Sequence, residues 1–96
     1  MEITLQYLDD CPNWQLAENR LRQALGQIGR PDEPIGHQRV ESPEEAERIA
    51  FGGSPTILLD GVDPFADPAG PAGYACRFYG GAAAPTVAQL RAALVR

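Results

Sequence analysis

Two cysteines are the residues of this 96-residue chain that could act as nucleophiles or as soft metal ligands. Cys11 lies in the stretch Asp10-Cys11-Pro12-Asn13-Trp14, between an apolar run and a helical pattern. A helix start concentrates unpaired N–H groups and the positive end of the helix dipole, which favours a thiolate over a thiol. The sequence therefore predicts a reactive thiol at a strand-to-helix junction.

A buried structural role is the alternative for Cys11, because free cysteine is among the most buried residue types. Two carboxylates precede it, Asp9 and Asp10, and nearby negative charge disfavours a thiolate. The helix start and the carboxylates thus act on the same thiol with opposite signs. Asp10 is also a candidate proton carrier, second ligand or substrate contact, and a solvated turn residue is its simpler interpretation.

Length and composition predict one domain, spanning residues 1 to 96. The net charge of -5 and the lack of clustered basic residues argue against nucleic-acid and anionic-membrane partners. The first residues do not resemble a signal peptide, and no apolar run approaches the roughly 20 residues that span a bilayer. We therefore expect a cytoplasmic protein whose cysteines are thiols.

The elements that position the thiols follow from the spacing of apolar residues. Four stretches have strand patterns: residues 2 to 8, 35 to 40, 56 to 59 and 76 to 79. Three stretches have helical patterns, and they begin at Cys11, Ser42 and Thr86. Each of these three residues is predicted to be the N-cap of its helix, and Ser42 and Thr86 begin capping boxes. The predicted order is β-α-β-α-β-β-α, with residues 62 to 74 as a long loop.

The stretch Cys11-Pro12-Asn13-Trp14 at a helix start, followed by Gly53-Ser54-Pro55-Thr56 at the start of a later strand, resembles the thioredoxin superfamily at its minimal size. The resemblance covers nearly the whole chain. It implies an α/β fold with a four-stranded mixed sheet in the order 2-1-3-4 and helices on both faces. More narrowly, the chain resembles short bacterial proteins described as thioredoxin-like or alkylmercury-lyase-like, which share these two stretches and a later cysteine followed by arginine, here Cys76-Arg77.

The resemblance also implies that the Ser54–Pro55 peptide bond is cis and lies against the active cysteine. An ordinary trans bond is the alternative, since most X–Pro bonds are trans. A cis bond would expose the backbone of Ser54 for pairing with an extended peptide or with glutathione. In this topology the end of the fourth strand, near Tyr79, is expected to lie closer to Cys11 than Cys76 does.

Trp14 occupies the position at which a second thiol would complete the redox pair of the motif, so we expect a monothiol mechanism. A second thiol, from glutathione or another small thiol, would then act as co-substrate, and no bound cofactor or metal is expected. The candidate catalytic residues are Cys11, Pro55 and Cys76. The candidate substrate contacts are Asp10, Pro12, Trp14 and Ser54, although the position of Trp14 on the apolar stripe of the helix also suits a core residue.

Three functions follow from these residues. The first is a monothiol oxidoreductase that acts on a small thiol or a protein disulfide. Cys76 has two interpretations: a core residue in a short strand, or a thiol that the long loop returns to the mouth of the Cys11 site, where the two cysteines could form a disulfide or a clamp for a soft metal. The second function is accordingly a soft-metal or organomercurial site formed by Cys11 and Cys76, with Asp10 as a further candidate, for which a two-cysteine clamp suits Hg(II) or Cu(I). The third is a non-catalytic thioredoxin-like module that binds a partner through the Cys11 face or the loop of residues 62 to 74. His37 lies in a weak edge strand, is expected to be solvated, and has no metal-binding or catalytic spacing.

Overall fold

The structure is a computed structural model that describes residues 1–66, 74–77, 79 and 82–95. Residues 67–73, most of the predicted loop, lie outside the described part. The described elements are β1 (Ile3–Tyr7), α1 (Asn13–Gln27), β2 (Gly36–Arg39), α2 (Pro43–Arg48), β3 (Thr56–Leu59) and α3 (Val87–Leu94). Each lies within or close to the stretch that the apolar pattern predicts. None of the described helices is long and apolar enough to cross a membrane.

The three strands form one mixed sheet in the order β2-β1-β3. β1 is parallel to β2, with Leu5 opposite His37, and antiparallel to β3, with Leu5 opposite Ile57. This confirms the predicted α/β class and the edge position of β2. Of the fourth predicted strand, the described residues show isolated bridges at Cys76 and Tyr79, so the described sheet has three strands.

Helices α1 and α3 pack together against one face of the sheet, because their apolar stripes match the inward residues of β1 and β3. Their shared cluster is Ile3, Leu5, Ala17, Leu21, Ala24, Leu25, Ile57, Ala84, Leu90 and Leu94. A second, smaller cluster consists of Leu8, Cys11, Val40, Ala46 and Phe51. Since Leu8 and Val40 directly follow β1 and β2, this second cluster lies at the carboxyl ends of the two parallel strands.

The side chains predicted to cap α2 and α3 do so. The Ser42 hydroxyl accepts from the backbone N–H of Glu45 at 3.1 Å, which is one half of the predicted capping box. Thr86 and Gln89 form both halves of a capping box, with donor–acceptor distances of 3.1 and 2.9 Å. These caps satisfy backbone donors that have no partner within the helix, which explains where the two helices begin.

The prediction that Cys11 caps α1 is wrong. Pro12 is the N-cap, with φ −70° and ψ −13°, and the helix begins at Asn13. Cys11 belongs instead to the turn before the helix, where its backbone N–H donates to the carbonyl of Leu8 at 3.0 Å. A residue that precedes proline is disfavoured in the helical region, which is consistent with the place of Cys11 outside the helix.

Candidate functional site

Cys11 lies at the carboxyl end of β1, as predicted, but its side chain is buried. Only 1% of the residue is exposed, and it packs in the second cluster beside Phe51. Its sulfur is 3.7 Å from the carbonyl oxygen of Ser54, to which the thiol donates. The thiol is thus enclosed between an apolar cluster and the backbone that precedes Pro55.

The sulfur of Cys76 is in direct contact with that of Cys11, at 2.7 Å. The expectation that Tyr79 would lie closer to the site than Cys76 was based on a regular fourth strand. Instead, Cys76 forms an isolated parallel bridge with Ser54, just before β3 begins. This pairing brings Cys76 to the end of the sheet where Cys11 lies, so the two cysteines form one site.

The two thiols differ in exposure. Cys76 is exposed, whereas Cys11 is buried, and both are free cysteines. The Cys76 thiol donates to the Cys11 sulfur, and this hydrogen bond is the main cause that raises the pKa of Cys76. Partial burial and the charge of Cys11 raise the pKa of Cys76 further. Cys76 is therefore a protonated donor at neutral pH.

The Ser54–Pro55 peptide bond is cis, as the resemblance implied. Ser54 is fully buried, and its hydroxyl accepts from the backbone N–H of Leu8 at 3.0 Å. Its backbone is not open to a substrate, because its N–H donates to the carbonyl of Ala75 and its carbonyl accepts from Arg77, both at 2.8 Å. The segment that carries Cys76 thus occupies the backbone that was expected to pair with a peptide or glutathione.

Arg77 is a site residue to which the sequence analysis gave no role beyond its place in the resemblance. Its guanidinium donates to the Asp63 carboxylate at 2.6 Å, to the Thr56 hydroxyl at 3.3 Å and to the carbonyl of Phe65. The side chains of Arg77 and Asp63 are only 12% and 16% exposed. A signal was present in the sequence, because Arg77 is the only charged residue between positions 68 and 90.

Tyr79 joins the same group of side chains. The Arg77 guanidinium lies over its ring at 4.5 Å, and Phe65 meets the ring edge-on with centroids 5.7 Å apart. The Tyr79 hydroxyl donates to the carbonyl of Pro55. Burial raises the pKa of Tyr79 far above that of a free tyrosine, so it stays a neutral hydrogen-bond donor. Tyr79 thereby connects Arg77 to Pro55.

The other predicted substrate contacts lie at different places. Asp10 is exposed and borders a cleft of about 290 Å³ lined by Leu8, Asp9, Asp10, Arg39, Val40, Glu41 and Tyr74. Pro12 is exposed at the start of α1. Two of the residues that line the cleft are near the cysteines in the sequence: Asp10 precedes Cys11, and Tyr74 lies two positions before Cys76. Three of the four charged side chains that line the cleft are acidic.

Trp14 is half-buried and packs on Tyr7, with ring centroids 4.5 Å apart. Its edge also meets His37, with centroids 6.2 Å apart, and His37 contacts the Glu18 carboxylate. These contacts agree with the interpretation of Trp14 as a packing residue on α1. The His37 side chain is 41% exposed, so the expected solvation is compatible with this pairing.

Among the described residues, no group of three or more histidine, cysteine or acidic side chains is placed to hold a metal ion. No family model matches the sequence, and comparison with curated proteins and with solved structures gives no match either. The function is therefore argued from the two sulfurs and the groups that hold them.

Proposed function

We propose that the protein is a thiol–disulfide oxidoreductase in which Cys11 and Cys76 form a reversible redox pair. The observation that carries the proposal is the 2.7 Å contact between the two sulfurs. A disulfide forms without backbone movement only where the two cysteines already lie close together, and two sulfurs in contact satisfy this condition. Trp14 occupies the position at which the motif would have its second cysteine, and Cys76, from a distant part of the chain, supplies that thiol instead. This favours a two-cysteine cycle over the expected monothiol cycle.

The exchange has two steps. A protein thiolate first attacks a substrate disulfide R–S–S–R′, forms a mixed disulfide with the R group, and releases R′–S⁻, which takes up a proton. The second protein thiolate then attacks the protein sulfur of the mixed disulfide and releases R–S⁻. The substrate gains two electrons and two protons, and the protein is left with a Cys11–Cys76 disulfide. Two equivalents of a small thiol such as glutathione return it to the dithiol.

Exposure favours Cys76 as the attacking thiol and Cys11 as the resolving thiol, because a substrate must reach the first sulfur. This order reverses the role expected for Cys11. The raised pKa of Cys76 makes its attack slow at neutral pH and faster as the pH rises.

The proposal includes the minimal thioredoxin-like architecture, with residues 76 to 79 as a fourth strand beside β3 and helices on both faces of the sheet. The order β2-β1-β3, with one parallel and one antiparallel neighbour for β1, supports it. Amide hydrogen exchange tests the fourth strand. Slow exchange over residues 76 to 79, as slow as in β3, is the expected result, and fast exchange there contradicts it.

The redox proposal is tested by treating the reduced protein with excess glutathione disulfide and mapping the products by mass spectrometry. We expect a peptide pair linked through Cys11 and Cys76 and the loss of both free thiols. Turnover of a peptide–glutathione mixed disulfide should be lost in C76S, which lacks the attacking thiol, whereas C11S should accumulate the mixed disulfide on Cys76. A wild-type protein that keeps both thiols contradicts the proposal, and full turnover by C76S supports the monothiol cycle instead.

Capture of a soft cation is the second candidate, and the same sulfur pair favours it. Two adjacent thiolates would offer a two-coordinate site to Hg(II) or Cu(I), whereas structural zinc sites take four ligands. Ultraviolet titration with Hg(II) tests this by its thiolate-to-metal absorption. One equivalent bound by the wild type, and weaker binding by C11S and C76S alike, would support capture, and equal binding by all three proteins would exclude the paired site.

A further inference from the structure

The segment that carries Cys76, residues 74–77, has one side chain that is not exposed. Tyr74, Ala75 and Cys76 are exposed, whereas the Arg77 side chain is 12% exposed. Within residues 74–77, the described hydrogen bonds to the rest of the chain, apart from that of the Cys76 thiol itself, are therefore made by the Arg77 side chain and by the backbone on both sides of Cys76. These groups can hold the Cys76 sulfur in place.

The backbone part of this attachment consists of two hydrogen bonds to Ser54. The Ser54 N–H donates to the carbonyl of Ala75, and the Ser54 carbonyl accepts from the N–H of Arg77. The carbonyl of Ser54 also accepts from the Cys11 thiol. One residue thus contacts both halves of the redox pair, so a shift of the segment relative to Ser54 would separate the two sulfurs.

The side-chain part fixes the segment to two other stretches of chain. Asp63 and Phe65 precede the residues that lie outside the described part, and Thr56 belongs to β3. Arg77 follows that part of the chain and binds all three. A largely buried ion pair is strongly destabilised when one partner is removed, because the other charge is left uncompensated. Loss of either Arg77 or Asp63 should therefore release the segment.

We propose that Arg77 is the positioning residue of the redox pair. Its ion pair with Asp63 holds Cys76 against Cys11 and so sets the effective concentration of one thiol toward the other. The inference rests on the proposed function, since it concerns the same disulfide. Without this ion pair, the mixed disulfide between the exposed Cys76 and a small thiol persists, because Cys11 is no longer held close enough to attack it.

The test is an equilibrium in glutathione buffers. The reaction converts reduced protein and glutathione disulfide into the Cys11–Cys76 disulfide and two molecules of glutathione, so its equilibrium constant is an effective concentration. We expect this constant to fall about tenfold or more in R77A and in D63N, with accumulation of protein that carries one glutathione on Cys76. The R77K variant keeps the charge but not the guanidinium fork, and we expect an intermediate value.

The matched control is R91A, because Arg91 is an exposed arginine on α3 whose guanidinium donates to Gln27. We expect its equilibrium constant to equal that of the wild type. The free energy of unfolding of each reduced variant is measured in parallel, and R77K or D63N replaces R77A if R77A does not fold. If a folded Arg77 or Asp63 variant loses stability but keeps the wild-type equilibrium constant for disulfide formation, the inference is overturned. A wild-type protein that forms no internal disulfide instead overturns the proposed function.

Discussion

The sulfur of Cys76 touches that of Cys11 although the two residues are 65 positions apart in the chain. The contact depends on Ser54, which accepts from the Cys11 thiol and pairs with the backbone on both sides of Cys76. A residue that was expected to receive substrate therefore holds the second thiol of the protein. This arrangement assigns Cys76 a chemical role that the core interpretation did not give it.

The first prediction concerns the pKa of Cys76. Because the hydrogen bond to Cys11 is the largest cause of its raised pKa, the C11A variant should have a lower Cys76 pKa. The thiolate is the reactive form, so a lower pKa means a larger reactive fraction at pH 7. We expect Cys76 of C11A to be alkylated by iodoacetamide several-fold faster at pH 7 than Cys76 of the wild type, with the difference vanishing at high pH.

The rate is followed by mass spectrometry of the Cys76 peptide from pH 6 to pH 11, in reduced protein. The complementary variant C76S serves as the control, since its buried Cys11 should react slowly. Identical pH profiles for Cys76 in the wild type and in C11A would contradict the contact between the two thiols.

Much of the fold could be predicted from the sequence, because the signals are local. Ser42 and Thr86 are good N-caps with the required partner three residues later, and the structure uses both. Helix α1 begins one residue later than predicted, because Pro12 is its N-cap and not its first helical residue. A proline is compatible with either position, and the turn bond from Cys11 to Leu8 decides between them.

The site was harder to predict, because its contacts are made between distant residues. The sequence identified Cys11 and Ser54–Pro55, whose local surroundings are distinctive. It left two places open for Cys76, the core and the mouth of the Cys11 site, since an isolated bridge at Ser54 leaves no periodic signal in the sequence. Arg77 was assigned no role for a related reason, because its partner Asp63 is 14 residues away and the pairing depends on how the chain between them folds.

The second prediction concerns the charge of the substrate. The cleft beside the site contains Asp9, Asp10 and Glu41, and its Arg39 is already paired with Glu41 and lies 3.9 Å from Asp9. With a net charge of -5 for the whole chain, the surrounding potential favours cations. We expect cystamine, a dication, to oxidise the reduced protein faster than neutral hydroxyethyl disulfide, and anionic glutathione disulfide to be the slowest.

Stopped-flow measurements at 10 and 500 mM salt check this order, because screening should bring the three rates closer together. The D10N variant should reduce the preference for cystamine, and E44Q, an exposed carboxylate on α2, serves as the control. Rates that follow only the intrinsic reactivity of the three disulfides, with no effect of salt, would exclude electrostatic selection at the cleft.

The third prediction concerns Gly53, which has φ +103° and whose added Cβ would lie 2.8 Å from the Cβ of Arg77. In G53A the backbone conformation alone costs about 1–3 kcal/mol, and the clash moves the segment that carries Cys76. We expect a lower free energy of unfolding together with slower formation of the Cys11–Cys76 disulfide. Urea unfolding of the reduced protein and oxidation kinetics measure the two effects.

The matched control for Gly53 is Gly26, which lies in α1 and has open space where a Cβ would be added. The G26A variant should be more stable than the wild type by about 0.5–1 kcal/mol, because alanine is the better helix former. Its rate of disulfide formation should not change. Equal oxidation rates for G53A and G26A would show that the Gly53 turn does not position Cys76.

The last prediction concerns the hydrogen bond from the Tyr79 hydroxyl to the carbonyl of Pro55. The Y79F variant keeps the ring that packs on Phe65 and under Arg77 but removes the donor. Because a buried acceptor is left without its partner, we expect a loss of about 1–2 kcal/mol in the free energy of unfolding. The exposed Tyr74 is the control, and Y74F should change stability by less than about 0.5 kcal/mol. If both variants unfold at the same urea concentration as the wild type, the Tyr79 hydroxyl does not stabilise the backbone beside Cys11, and the support of the redox pair reduces to Arg77 and Ser54.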